Sequence, residues 1–167
     1  MLKYPGRIFV SYERESAWEY YMLMRAWRQT DGSSFDFVDM LYGNVDFKFD
    51  DAYCESVRLR LLSCGVFLLL LNDRTRFCER VIKCELPIAM SVKVPIIVMN
   101  LNGLRFKDDL RVPEALSHHQ SVHIGFAPQI LQHALLNWPD YLSRIQVSAA
   151  TPHFYYYSDS VYAGVGL

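Results

Sequence analysis

The chain has no excess of charge of either sign: 17 Lys and Arg stand against 18 Asp and Glu, a net charge of −1. Nucleic acids and anionic membrane surfaces select clustered basic residues, so neither is an expected partner. Long apolar runs are also missing. The longest, "VFLLLL" over 66–71, is far short of the roughly 20 residues that span a bilayer. The four cysteines, Cys54, Cys64, Cys78 and Cys84, form no CxxC pair. They lie in segments with interior character and read as reduced, buried thiols of a cytoplasmic protein, not as disulfides or zinc ligands. There is no P-loop, GxGxxG or GxSxG, which removes support for Walker-type NTPases, Rossmann dehydrogenases and α/β-hydrolases. The paired acids of a phospho-acceptor receiver are absent from "VSYER" (10–14). The N-terminal "MLKYPGRIFVSY" reaches a strand-like run too soon for a signal peptide.

What remains is a globular composition, 51% hydrophobic with 14% aromatic residues over 167 positions, enough for one domain with a substantial core. "RIFVSY" (7–12) is β-rich, and "ESAWEYYMLMRAWRQ" (15–29) reads as a helix. Ser16 and Glu19 form a capping box there, and Tyr20, Leu23, Met24 and Trp27 recur at helical spacing. "FDFVDM" (35–40) alternates as a strand, a helix is expected near 51–63, and "GVFLLLLND" (65–73) has the unbroken apolar character of a central parallel strand. A third helix, a buried strand "VPIIVMNLNG" (94–103), a short strand "QSVHI" (120–124) and a helix "PQILQHALLNW" (128–138) follow. Strand and helix alternate five times with short links. That pattern predicts a three-layer, flavodoxin-like α/β fold with a five-stranded parallel sheet and helices on both faces. Residues 1–140 are expected to form this domain. The aromatic-rich extension 141–167 has no clear period and is expected to pack on the domain or on a partner chain.

One residue stands out. In "CERVIKCELPIAM" (78–90) a single carboxylate, Glu85, sits among apolar residues. With a helix starting near Cys78 and about 100° per residue, Cys78, Ile82, Ile88 and Ala89 share Glu85's direction. Glu79, Arg80, Lys83 and Pro87 fall on the opposite side. A charge in that position is costly unless it is paired or used. A second reading starts the helix near Cys84, since Pro87 suits a first turn; Glu85 is then an N-terminal acid favoured by the helix dipole. Ligands of such folds bind beyond the carboxyl ends of the strands. Ser11, Tyr12 and Asp39 lie there, as strand terminators or ligand donors. The histidines His118, His119 and His123 cluster in sequence without helical spacing or partner motifs, so no metal site is expected.

The ordered set "RIFVSY", "FDFVD", "ESVRLRLLSC", "GVFLLLLNDRTRF", "VIKCELPIAM" and "VPIIVMNLNG" resembles the bacterial TIR-like proteins, in particular the TIR subunit of Thoeris-type antiphage defence systems. The resemblance covers roughly 7–140. It implies a flavodoxin-like TIR fold and cleavage of the nicotinamide–ribose bond of NAD, with NAD as substrate and no separate cofactor. The ADP-ribose-derived product, cyclic or conjugated, would activate an effector protein, and activation would involve homo-oligomerisation. Glu85 matches the family's catalytic glutamate, while Cys84 stands where that family commonly has tryptophan. By the same resemblance Ser11 and Tyr12 belong to the nucleotide-binding first loop, and Asp39 and Asn44 border the second-strand loop. Phe77 either stacks on a ring of the substrate or packs in the core. Two further readings are a non-catalytic TIR assembly module and a nucleoside deoxyribosyltransferase-like enzyme.

Overall fold

The computed structural model describes residues 2–41, 48–148 and 150–167. Strand β1 (Arg7–Ser11) leads to helix α1 (Arg14–Arg25), β2 (Asp36–Val38), α2 (Asp51–Leu62) and β3 (Val66–Leu71). A π-helical turn, Val81–Glu85, runs directly into α3 (Leu86–Ser91). Then come β4 (Ile96–Asn100), β5 (Ser121–Gly125), α4 (Pro128–Arg144), β6 (Phe154–Tyr156) and α5 (Asp159–Gly164). All strands pair in parallel, in the order β2-β1-β3-β4-β5-β6. The first five reproduce the expected doubly wound order.

The sixth strand corrects the expectation of five. β6 comes from the tail, with Ser121 opposite Phe154 and His123 opposite Tyr156. Three residues without alternation carry no strand period; β5's unpaired edge selects them. The tail also supplies Tyr162, whose phenol accepts from the Gly125 amide at 3.0 Å and whose ring lies in the main core. The expected boundary between residues 140 and 141 falls inside α4, which continues through Pro139 to Arg144.

Period-two alternation divides the core into two halves. Ile8, Val10, Leu68 and Leu70 face one way, against Ala17, Tyr21 and Met24 of α1 and Leu131, Leu135 and Trp138 of α4. Phe9, Phe67, Leu69 and Leu71 face the other, against Val57 and Leu61 of α2 and Leu86 and Ala89 of α3. β3 is buried at every position because helices cover both its faces, which explains its unbroken apolar sequence. Ser11 shares Phe9's face, so its hydroxyl is directed to the α2–α3 side. Tyr12 belongs to the α1 side.

Three local expectations change. The N-cap of α1 is Glu13, not Ser16: its carboxylate accepts from the Glu15 and Ser16 amides at 3.1 and 2.8 Å. Ser16 lies inside the first turn and donates its own hydroxyl to Glu13, so no box with Glu19 is needed. α1 also ends at Arg25, short of the expected residue 29, and Arg28 instead bridges to Ser34. The third helix is wound from residue 79, so Pro87 is not in its first turn. Pro87 has no N–H and would clash with the carbonyl four residues back in an α-helix. The chain widens there: the Leu86 amide donates to Val81, five residues back, the mark of a π turn.

Candidate active site

Glu85 closes the π turn and reaches under the carboxyl end of β1. It is 1% exposed, and both its oxygens are bonded. The Ser11 hydroxyl donates to Oε2 at 2.5 Å. The Tyr53 phenol and the Arg80 guanidinium both donate to Oε1. Arg80, 7% exposed, also donates to the backbone carbonyl of Tyr12. One arginine therefore ties the helix that carries Glu85 to the end of β1. The dipole-capping reading of Glu85 does not hold, since its side chain caps no amide and is spent on these three donors.

Arg80 is the element that helical periodicity misplaces. At about 100° per residue it stands some 140° away from Glu85, on the solvated back. A π turn brings residues five apart into register, and Arg80 and Glu85 are five apart. The available signal was Pro87, which demanded a break in α winding near residue 83. Tyr53 was also missed as a site residue. It reads as a core position beside Val57 and Leu61, and only the packing of α2 against the π turn carries its hydroxyl to the carboxylate.

The electrostatics follow from closeness and burial. Burial, and then the Glu85 carboxylate, push the Tyr53 phenol well above its ordinary pKa, so it stays a donor. Burial alone would lower the Arg80 pKa, but Glu85 and Tyr53 outweigh it and hold the guanidinium charged. Breaking such a pair by deleting one partner typically costs about 3–5 kcal/mol, because a buried charge is left alone.

The other expected residues divide. Tyr12 donates to Asp39 Oδ2 at 2.8 Å, and Asp39 Oδ1 accepts the Leu41 amide at 2.9 Å. Tyr12 is buried and stacks on Tyr21 at 4.9 Å, so this pair ties β1 to the end of β2 on the α1 side. Burial and then Asp39 raise the Tyr12 phenol. Cys84 is buried in the α2–α3 core, where burial and then the neighbouring Cys54 push its thiol up; it packs there as an apolar residue. Phe77 is 71% exposed, so the core-packing alternative for it is excluded. The Arg76 guanidinium lies 4.8 Å from its ring centroid. Asn44 lies outside the described residues.

At the same sheet edge, on the α1 side, a cavity of about 290 Å³ is lined by Ser16, Asn72, Asp73, Asn102 and Arg111, among others. It follows β1, β3 and β4, beside the point where strand order reverses. Glu85 does not line it. The cysteines are unpaired, three half-buried and Cys84 buried. His118, His119 and His123 are dispersed: His123 is fully buried on β5, with Nε2 3.0 Å from the Ser121 hydroxyl oxygen. Among the described residues no group of three or more His, Cys, Asp or Glu side chains is arranged to hold a metal ion, and no helix is long and apolar enough to cross a membrane. Searched against known protein families and against curated proteins, the chain matches none.

Proposed function

We propose that the chain is a TIR-like enzyme that cleaves the nicotinamide–ribose bond of NAD, with Glu85 as its catalytic carboxylate. The observation that supports this reading is a buried glutamate at the carboxyl edge of a doubly wound sheet, next to hydroxyl donors from β1 and α2. In this reaction the bond from ribose C1′ to the pyridinium nitrogen breaks, and its electron pair leaves with neutral nicotinamide. The ribose becomes oxocarbenium-like. A carboxylate in a low-dielectric site stabilises that cation and can accept from the ribose hydroxyls. Water, or another nucleophile, then adds to C1′ and gives ADP-ribose or a cyclic or conjugated derivative. Such a nucleotide serves as a messenger to an effector in cytoplasmic antiphage defence, with homo-oligomerisation on activation. The test is incubation with NAD and an infected-cell trigger, with products read by mass spectrometry, for the native chain and Glu85→Gln. Equal NAD turnover in a folded Glu85→Gln variant rejects the assignment.

A second reading is a non-catalytic TIR assembly module. The Arg80–Glu85 pair favours it, since a carboxylate bonded on both oxygens can serve structure alone. It expects intact NAD under every trigger and oligomers that grow with concentration.

A further inference from the structure

A carboxylate that works on a ribose must present at least one oxygen to it. Here Oε2 is held by Ser11, Oε1 is shared by Tyr53 and Arg80, and almost no surface is left exposed. The partners are not equivalent. Ser11 lies on β1 in the middle of the sheet and Tyr53 on the packed face of α2, so moving either disturbs the core. Arg80 precedes the π turn, carries the longest side chain of the set, and spans from Glu85 to the Tyr12 carbonyl. Its guanidinium can rotate away without moving a strand or helix.

We propose that Arg80 is the latch of the Glu85 site: in the resting protein it occupies the ribose-facing side of the carboxylate, and substrate engages only after the guanidinium lets go. This inference rests on the NAD-cleaving reading and assigns that site its regulation. A buried, doubly hydrogen-bonded ion pair keeps the open form scarce, by about two to three powers of ten at equilibrium. The chain is accordingly silent until a trigger, such as contact with another copy or with a foreign protein, gives Arg80 a different partner.

The experiment reads the latch separately from NAD chemistry. Tryptic fragment 84–93 contains Glu85 as its only acidic side chain, so carbodiimide-driven amidation of the native protein, followed by digestion, reports that residue alone. In the native protein Glu85 is protected, whereas the exposed Glu79 is modified. Arg80→Lys keeps the charge but cannot hold both Glu85 and the Tyr12 carbonyl; it raises Glu85 labelling about tenfold or more and raises untriggered NAD consumption in step. Arg80→Gln is the second variant, used in the same way. Labelling that rises without NAD loss upholds the latch and counts against the NAD reading. Folded variants in which Glu85 stays as protected as in the native chain overturn the latch, as does failure of both variants to fold, which would make the pair a structural strut. In either case the triggered assay with Glu85→Gln still judges the NAD reading separately.

Discussion

Arg80 and Glu85 meet across a π turn: five residues apart, they form a buried ion pair because Leu86 bonds back to Val81 instead of to Ile82. The pair gives the helix after β3 both its charge balance and its attachment to the end of β1.

Glu85→Gln leaves the guanidinium buried without its counter-charge. The unfolding temperature should fall on the order of 10 °C, from about 3–5 kcal/mol at 2–4 °C per kcal/mol for a domain of this size. Triggered NAD cleavage should fall by about 100-fold or more. Arg80→Met combined with Glu85→Met removes both charges and should restore the unfolding temperature to near native while remaining inactive. Thermal melts of the single and double variants decide this; a double variant as unstable as Glu85→Gln contradicts the ion-pair account.

Tyr53→Phe removes one donor from the carboxylate and leaves the packing of α2 unchanged. A hydrogen bond to a charged group contributes about 1.5–3 kcal/mol, so a drop of several degrees in unfolding temperature is expected. Chemical denaturation with an unchanged slope and a lower midpoint checks that stability alone has changed.

Pro87→Ala restores the missing amide at residue 87 and removes the ring that forbids α winding. The turn should relax toward α-helix, and Arg80 should lose its register with Glu85. Hydrogen exchange of fragment 84–93 should slow at residue 87 as the new bond forms. Exchange unchanged from native would mean that the ion pair, not Pro87, sustains the π turn.

The tail should not be dispensable. Deleting residues 148–167 removes β6, uncovers the edge of β5 and takes Tyr162 out of the core. The truncated chain should aggregate or melt without cooperativity, since unpaired strand edges template association. A soluble truncated protein with a native-like melt would show that residues 1–147 suffice.

His123 supplies a pH dependence. Burial, with Lys107 adding to it, depresses its pKa to about 4 from 6.5. The folded state thus favours the neutral ring. The stability from this site is fully present above pH 6.5, declines below it, and is lost as pH falls through about 4, on the order of 3 kcal/mol in all. His123→Gln should flatten stability between pH 6.5 and 4; a native-like slope in that variant would assign the acid sensitivity elsewhere.

Much of the architecture was legible from periodicity. The unbroken "VFLLLL" announces a strand covered on both sides, and the alternation of strands with helices dictates a parallel sheet. The limits are equally physical. "FYY" carries no strand signal because an edge strand of three residues is made by its neighbour's free amides and carbonyls, not by its own pattern. The capping role of Glu13 was overlooked because its side chain bonds two amides where the Ser16–Glu19 spacing offered a more familiar motif.

For the site, the sequence by itself determined that a lone carboxylate sits in an apolar segment after the third strand, with Pro87 two residues on and Ser11 at the end of the first. Only the tertiary structure decided what surrounds that charge. Helical geometry at 3.6 residues per turn puts Arg80 on the far side, and a π turn puts it against Glu85. Whether a proline kinks, ends or widens a helix depends on what packs around it, and here the Ser11 and Tyr53 hydroxyls and the Tyr12 carbonyl, distant in sequence, supply the partners that make the widened turn hold.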